Sequence, residues 1–345
     1  MDIADAGRMI DCCALSVNLT NVHRAIARQR FETHPCRPLR AYAGGCCPYR
    51  GDDHARYTIM LSYRHGFHAG NHADVLKHMV LVQLLDYLAI KDKSFWYVDT
   101  HAGAGRYALE SRFAASRGEY ATGIARLWEA DPLRLSKPLA RYLGIVRTLN
   151  PGGKLRHYPG SPWFARSCMR PQDRIWLHEM HPADYAVLEK AFRDSPVPAN
   201  IADDDGFAAL KSLLPPQPRR ALIVIDPSYE LKSDYAQLIT TLRSALARFA
   251  TGVYLVWYPM IPRREAHELP RRLESTANGN WLRVSLQPRA PRNETTGLYG
   301  SGVFVINPPH TLRPALESCM PQLAELLAID AGASFGIDWS PDLSD

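Results

Sequence analysis

The sequence predicts an α/β fold with a mostly parallel sheet, and three observations predict it. Short apolar runs that are typical of buried strands recur along the chain. Segments with helical spacing of apolar residues lie between several runs, for example from Tyr235 to Phe249. Acidic or glycine-rich residues directly follow several runs, as they do where parallel strands end at a ligand. The runs occupy residues 95–98, 175–177, 221–225, 253–257, 281–284 and 303–306.

Composition bounds the class of protein. The 345 residues are 46% hydrophobic and 22% charged, which is ordinary for a globular protein, and the formal net charge is +6. A mildly basic chain favours a polyanionic partner such as nucleic acid. No run of 18 apolar residues occurs, so we expect no membrane span. Seven cysteines, five of them before residue 48, form no disulfide pattern, and we expect a cytoplasmic protein.

The pattern of apolar residues changes at Met60 and divides the chain there. Residues 1–59 lack sustained periodicity and are interpreted as a disordered leader or as the product of a mis-assigned start. A basic RNA-binding arm is the alternative interpretation. Residues 60–345 are predicted to form one domain. Because about 75 residues separate the first two predicted strands, we expect a small helical insertion at about residues 106–160, beside any ligand.

Residues 63–78 combine a helix start with a cluster of histidines. Asn71 and Asp74 supply a cap and a first-turn acid, which predict a helix from there onward. His68 and His72 have a spacing that a metal site can use, but no cluster of carboxylates or cysteines completes a ligand set. Cysteines near the N-terminus are an equally weak zinc candidate. We expect no metal, and we interpret this segment as one that contacts phosphates and bases.

A glycine-rich turn, residues 99–105, follows the first predicted strand. Glycine at 103 and 105 permits a tight turn and a close approach of the backbone to a nucleotide-like ligand. Gly103, Gly105 and Ala108 also satisfy the dinucleotide fingerprint, so a nicotinamide-dependent oxidoreductase is an alternative function. A strand-to-helix turn without a ligand is the structural alternative.

Two further carboxylates are candidate ligand contacts. Glu179 ends the strand at 175–178 and can accept both hydroxyl hydrogens of a ribose. Asp205 can accept a hydrogen bond from an adenine amine, and Gly206 permits the turn that brings it there. Each feature alone is also typical of an ordinary loop.

The strongest motif is Asp226-Pro227-Ser228-Tyr229, which closes the apolar run 221–225. An adenine amine is a poor nucleophile because its lone pair is delocalised into the ring. A carboxylate from Asp226 and the Pro227 carbonyl, accepting the two amine hydrogens, would localise that lone pair towards a methyl donor. We expect the ring of Tyr229 to hold the unstacked base.

Taken together, these residues resemble the RlmJ family of bacterial 23S rRNA (adenine-2030-N6)-methyltransferases. The resemblance covers the chain from Met60 to about Trp339, and its most specific mark is the segment 60–78. Further marks are residues 99–107, 158–162, 179–182 and 257–259. The resemblance implies a Rossmann-like class I methyltransferase fold with a seven-stranded sheet and a helical insertion after the first strand.

The resemblance also implies an activity and its residues. It implies S-adenosyl-L-methionine as the cofactor, 23S ribosomal RNA as the substrate and no metal. We also expect a monomer, although the sequence leaves the oligomeric state open. The family's tetrapeptide is Asp-Pro-Pro-Tyr, so Ser228 is a departure that restores freedom of φ and an N–H. A non-catalytic RNA-binding protein on the same fold is therefore a further alternative. The cofactor contacts carry over onto His78, His101, Ser161, Glu179, Asp205, Gly206 and Asp226, the catalytic carboxylate onto Asp226, and a substrate-contacting tyrosine onto Tyr63. Gly103 is a further expected cofactor contact because of its place in the glycine-rich turn. Arg64 and Arg106 are expected to contact phosphates.

Overall fold

The computed structural model describes residues 65–110, 118–291 and 297–341. The predicted leader, residues 1–59, and the predicted RNA-contacting residues Tyr63 and Arg64 lie outside the described residues. Two short 3-10 turns occur at His65–Phe67 and Glu119–Thr122. The strands are β1 (Trp96–Asp99), β2 (Arg106–Ala108), β3 (His157–Pro159), β4 (Arg174–His178), β5 (Ala199–Ala202), β6 (Ala221–Ile225), β7 (Val253–Met260), β8 (Trp281–Gln287), β9 (Gly300–Ile306) and β10 (Ser334–Trp339). The helices are α1 (His72–Ile90), α2 (Ile124–Glu129), α3 (Lys137–Thr148), α4 (Ser161–Cys168), α5 (Pro182–Phe192), α6 (Gly206–Leu213), α7 (Lys232–Arg248), α8 (Arg264–Ala277) and α9 (Leu312–Leu327).

The central sheet has the order β10-β8-β9-β7-β6-β1-β4-β5. Strands β5, β4, β1, β6 and β7 are parallel, and the pairings of β7 with β9, β9 with β8, and β8 with β10 are antiparallel. The predicted α/β architecture is confirmed. The described sheet has eight strands rather than the predicted seven, because β10 adds an antiparallel edge strand to β8.

Helices cover both faces of the sheet, which explains why its central strands are apolar on both sides. In β6, Leu222 and Val224 pack on the core that includes α1, α3, α4 and α9. Ile223 and Ile225, which point the opposite way, pack on the core formed with α6, α7 and α8. Polar groups at the ends of these buried strands are thereby held at one edge.

Helix α1 begins where the sequence predicted. Its N-cap is Asn71, whose Oδ1 accepts hydrogen bonds from the N–H groups of Ala73 and Asp74 at 3.0 Å. The helix is buried on nearly all sides rather than along one stripe, because it packs against α3, α4, α9 and β9. Two charged residues, Asp74 and Lys77, are consequently inside the protein, at 1% and 4% exposure.

The long connection from β1 to β4 holds helices α2 and α3 within the segment where a helical insertion was expected. It also holds an antiparallel ribbon of β2 and β3 that the sequence analysis did not predict. The ribbon returns the chain to Gly160, whose N–H donates to the Gly105 carbonyl at 2.9 Å. The start and the end of the insertion are therefore neighbours in the structure.

Among the described residues, none of the helices has the length and apolar character needed to cross a lipid bilayer.

Candidate active site

A single cleft collects most of the predicted site residues at the carboxyl ends of the parallel strands. Its walls come from the segments that follow β1, β4, β5 and β6, and from α1 and α4. The lining includes Lys77, His78, Thr100, His101, Ala102, Gly103, Gly160, Ser161, Glu179, Met180, His181, Asp205, Asp226, Pro227 and Ser228. This is the edge at which open α/β sheets bind ligands.

The glycine-rich turn forms one wall. Gly103 and Gly105 have φ of +61° and +71°, which favours glycine, and a Cβ at Gly103 would lie 2.2 Å from the Tyr107 hydroxyl. Arg106 then begins strand β2, whereas a dinucleotide fingerprint requires the glycines to open a helix. The nicotinamide alternative is therefore not supported.

The helix that completes this wall starts at Ser161, after the insertion. The Ser161 hydroxyl donates to Oδ2 of the fully buried Asp99 at 2.7 Å, and the Tyr97 hydroxyl donates to the same oxygen at 2.7 Å. Burial raises the pKa of Asp99, and these two hydrogen bonds oppose the rise. Because the Ser161 proton is committed to Asp99, its oxygen is left as an acceptor for a donor in the cleft.

Two histidines of the cleft are held neutral. Burial lowers the pKa of His78 well below its usual range, with the nearby Lys77 ammonium as the next cause, and burial lowers the pKa of His101 to about 4. The Nδ1 atom of His78 is 2.8 Å from the Tyr158 hydroxyl, while Nε2 is buried without a partner among the described residues. A buried polar atom of that kind, on a cleft-lining residue, is suited to a ligand.

Glu179 lies across the cleft from the glycine turn. Its two carboxylate oxygens accept the N–H groups of Gly103 and His181, each at 2.7 Å. Burial nevertheless raises the pKa of Glu179 to about 7, since these hydrogen bonds offset only part of the desolvation. Each oxygen retains a lone pair that can accept a ligand hydroxyl.

Asp205 and Gly206 stand at the start of α6. Asp205 is the N-cap, its Oδ1 accepts the Phe207 N–H at 2.9 Å, and the residue lines the cleft. Gly206 is not part of the lining; a Cβ there would lie 2.1 Å from the Thr100 carbonyl oxygen. The role of Gly206 is therefore to let α6 approach the turn after β1, which positions its neighbour Asp205.

Asp226 is at one end of a series of ion pairs that continues through Lys77 to Asp74 and His65. Its Oδ2 is 2.5 Å from Nζ of Lys77, and the same ammonium is 3.0 Å from Oδ1 of Asp74. Asp74 in turn accepts from the His65 ring at 2.9 Å and from the Gly70 N–H at 2.9 Å. These partners hold the pKa of Asp74 well below its usual range despite its burial, and the two carboxylates raise the pKa of Lys77.

Lys77 is a site residue that the sequence analysis missed. It lies one helical turn after Asp74 in a helix that is buried on nearly all sides, and a cation in the middle of such a helix is unusual unless it is paired. A lysine within a helix of mostly apolar residues was the feature of the sequence that could have indicated a buried ion pair. The structure shows that its partner comes from β6, 149 residues away.

Tyr229 differs from its expected placement. The ring is 2% exposed, and its hydroxyl donates to the Trp257 carbonyl at 2.6 Å. It packs against the rings of Tyr235 and Trp257, and it is not among the cleft-lining residues. The physical reason is the backbone conformation: Tyr229 has φ of +55°, and with this φ the turn directs its side chain into the core. In this conformation the ring cannot present a face to a base.

No group of three His, Cys, Asp or Glu side chains with the arrangement of a metal site occurs in the described parts of the chain. His68, one of the two histidines weighed as ligands, instead pairs with Glu119 at 2.9 Å.

Comparisons with known proteins agree with this geometry. Residues 92–340 match the family model described as ribosomal RNA large subunit methyltransferase D, RlmJ. Ribosomal RNA large subunit methyltransferase J of Haemophilus influenzae and that of Escherichia coli are each 44% identical to the chain over 281 residues, which cover 81% of this chain and 99% of theirs. The crystal structure of a Legionella pneumophila protein superposes with a TM-score of 0.74 at 34% identity, covering 79% of this chain and 98% of that one.

Proposed function

The chain belongs to the RlmJ family of ribosomal RNA large subunit methyltransferases, and on that premise we propose that it methylates N6 of an adenine in 23S ribosomal RNA with S-adenosyl-L-methionine. The target is adenine 2030 by family resemblance. The observation that carries the proposal is the carboxylate of Asp226, which follows β6 and borders the same cleft as the glycine turn and Glu179.

Asp226 is placed to accept a hydrogen bond, and then a proton, from an exocyclic amine. Its Oδ2 is engaged by Lys77, which leaves Oδ1 as the oxygen that accepts an amine hydrogen. The carbonyl of Pro227, which also lines the cleft, accepts the second hydrogen. Two acceptors on one amine draw the nitrogen towards tetrahedral geometry, and Asp226 takes the proton that the nitrogen loses on methylation.

The cleft also has the donors and acceptors that S-adenosyl-L-methionine requires. When bound, this cosubstrate supplies an electrophilic methyl group on a sulfonium. Glu179 accepts the ribose hydroxyls, Asp205 accepts the adenine amine, and the Ser161 oxygen accepts from the ammonium group. Nε2 of His78, which has no partner among the described residues, and the ring of His101 complete the binding surface. His178 also lines the cleft, and its Nε2 is likewise buried without a partner among the described residues.

The domain assignment follows the same logic. We propose that residues 60–345 are the methyltransferase domain, that residues 1–59 are dispensable, and that Tyr63 contacts the RNA at the rim. All groups assigned to the reaction come from one chain, so a monomer suffices, and proton transfer to a carboxylate requires no metal. The proposed place of action is the cytoplasm, where ribosomal RNA is available.

The test is transfer of a labelled methyl group from S-adenosylmethionine to 23S ribosomal RNA from cells that lack the gene, followed by mapping of the modified base. We expect one methylated adenine with the wild-type chain. Asp226→Asn is expected to lose transfer by about 100-fold or more while retaining measurable cosubstrate binding.

Glu189→Gln on the exposed face of α5 is the matched control and should behave as wild type. Retained transfer in Asp226→Asn would overturn the role of Asp226. RNA binding without any methyl transfer by the wild type would favour the non-catalytic alternative.

A further inference from the structure

The positive charge of the chain is concentrated in the insertion. Residues 106–160 hold ten of the 41 Lys and Arg and four of the 35 Asp and Glu, a formal charge of +6. The rest of the chain holds 31 of each, so the insertion carries the whole net charge of the protein. An excess of basic residues in one segment is typical of a nucleic-acid contact.

A second cavity lies within the insertion, apart from the catalytic cleft. It is bordered by Trp128 at the end of α2, Arg147 in the last turn of α3, and the turn Asn150, Pro151 and Gly153. The Arg147 guanidinium lies 5.7 Å from the centre of the Trp128 ring, and both side chains are half-buried. The described part of the chain supplies no carboxylate partner for Arg147. A guanidinium that lies over an aromatic ring and has no carboxylate partner among the described residues can still pair with a phosphate, and an aromatic ring can stack on an unstacked base.

The turn at this cavity is fixed rigidly to the ribbon that leads to the catalytic cleft. Oδ1 of Asn150 accepts the N–H groups of Arg156 and His157 at 2.8 and 2.9 Å, and its Nδ2 donates to the carbonyls of Val146 and His157. Strand β3 then runs to Gly160 in the cleft wall. At about 3.3 Å per strand residue, the six steps from residue 154 to 160 span at most roughly 20 Å.

Basic side chains lie on the ribbon between the catalytic cleft and the cavity of Trp128 and Arg147. Arg106 on β2 and Arg156 before β3 are both exposed, and both contribute to the lowered pKa of His157, after its burial. His157 is thus close to both guanidinium groups. Lys154, also exposed, stands at the end of the turn. Arg156 is 3.9 Å from the exposed carboxylate of Glu110, so the ribbon carries one acidic side chain among these three cations. The net positive charge would attract a strand of RNA that follows the ribbon from the cleft outward.

We propose that the cavity of Trp128 and Arg147 receives one unpaired nucleotide of the RNA substrate, a few nucleotides from the target adenine. The indole stacks on the base and the guanidinium pairs with its phosphate. This inference rests on the proposed function, because the occupant is a second part of the same RNA. The site determines how the RNA is oriented on the enzyme and takes no part in the chemistry.

The test compares Trp128→Leu, Trp128→Phe and Arg147→Ala in methyl transfer at varied RNA concentration. We expect Trp128→Leu to raise the KM for RNA about tenfold with kcat unchanged, and Trp128→Phe to retain most of the affinity. Arg147→Ala should weaken binding and reduce the slope of log affinity against log salt by about one. Arg134→Ala, at an 86% exposed side chain of the same insertion, is the matched control.

Two readouts separate the outcomes. The cosubstrate Kd and the melting temperature should remain at wild-type values in Arg147→Ala, which shows that the domain is intact. RNA with 2-aminopurine at its unpaired positions should lose fluorescence on binding at one position, and Trp128→Leu should abolish that loss. Wild-type KM in both Trp128→Leu and Arg147→Ala, with methylation intact, would overturn this inference alone. Failure of the wild type to methylate ribosomal RNA would instead overturn the proposed function.

Discussion

Nζ of Lys77 lies 2.5 Å from Oδ2 of Asp226, and this contact joins helix α1 to the end of strand β6 beneath the cleft. The Lys77 side chain is 5% exposed and the Asp226 side chain 13%, so neither charge is well solvated. Lys77 also contacts Asp74, so its ammonium lies between two carboxylates. The position and charge of the proposed catalytic group therefore depend on a residue outside its own motif.

Removal of the Lys77 charge should destabilise the protein and impair methyl transfer together. Lys77→Met leaves two carboxylates without their shared cation, and breaking a buried pair typically costs about 3–5 kcal/mol. We expect a loss of that order in the free energy of unfolding, measured with urea, and a fall in kcat. Lys190→Met, on the exposed face of α5, should change stability by less than about 0.5 kcal/mol. In an Asp226→Asn background the same substitution should cost less, and an equal cost would show that the two residues are not coupled.

Cosubstrate affinity should rise with pH across neutrality. Burial raises the pKa of Glu179 to about 7 from 4.5, and only the ionised carboxylate can accept two ribose hydroxyls. If the protonated form does not bind, affinity increases about tenfold between pH 6 and pH 8, since the ionised fraction increases by that factor. Isothermal titration at several pH values measures it, with net proton release below pH 7.

Glu179→Gln should abolish this dependence and bind more weakly at pH 8, whereas Glu189→Gln should preserve it. A flat profile in the wild type would contradict the ribose role. In the absence of cosubstrate, Glu179 makes the stability of the protein decrease, rather than increase, with rising pH. The folded state binds the proton more tightly than the unfolded state, so the contribution of Glu179 to stability falls as pH rises from about 4.5 to about 7.

The positions of Glu179 and Asp226 could be predicted because they follow recognisable strands. The carboxyl ends of parallel strands meet at one edge, so a one-dimensional pattern was enough to bring these carboxylates to one cleft. Strands β5 and β10 were not predicted. Both lie at sheet edges with largely half-buried or exposed residues, and such strands lack the apolar run that marks a central strand.

Lys77 and Tyr229 show what the pattern could not supply. A lysine in a helical segment is ordinarily solvated, and its burial here follows only from the packing of α1 on several sides. The direction of the Tyr229 ring depends on a positive φ at a bulky residue, which propensity disfavours and tertiary contacts impose. Both depend on contacts between residues far apart in the chain.

Tyr229 should act as a core residue rather than as the platform for the base. Tyr229→Leu removes the ring and its hydrogen bond to Trp257, and we expect it to lower the free energy of unfolding by about 2 kcal/mol or more. The KM for RNA should stay within about twofold of wild type. Tyr229→Phe, which retains the ring, should lose about 1 kcal/mol. A large rise in KM for Tyr229→Leu, with stability unchanged, would show that the ring reaches the base during turnover.

Ser228→Pro, which restores the family tetrapeptide, should stabilise the protein without loss of turnover. Ser228 lines the cleft, and in the described parts of the structure its N–H makes no hydrogen bond that a proline would remove. A proline restricts the unfolded chain and fixes the backbone beside the Pro227 carbonyl, so we expect a gain of about 0.4–1 kcal/mol and a kcat at least equal to wild type. Thermal unfolding and single-turnover methyl transfer measure the two quantities. Ser228→Ala, which removes the hydroxyl but keeps φ free, is the control and should give no gain in stability. A destabilised Ser228→Pro would mean that the native φ at this position is incompatible with proline, and that this chain holds the amine with a different turn.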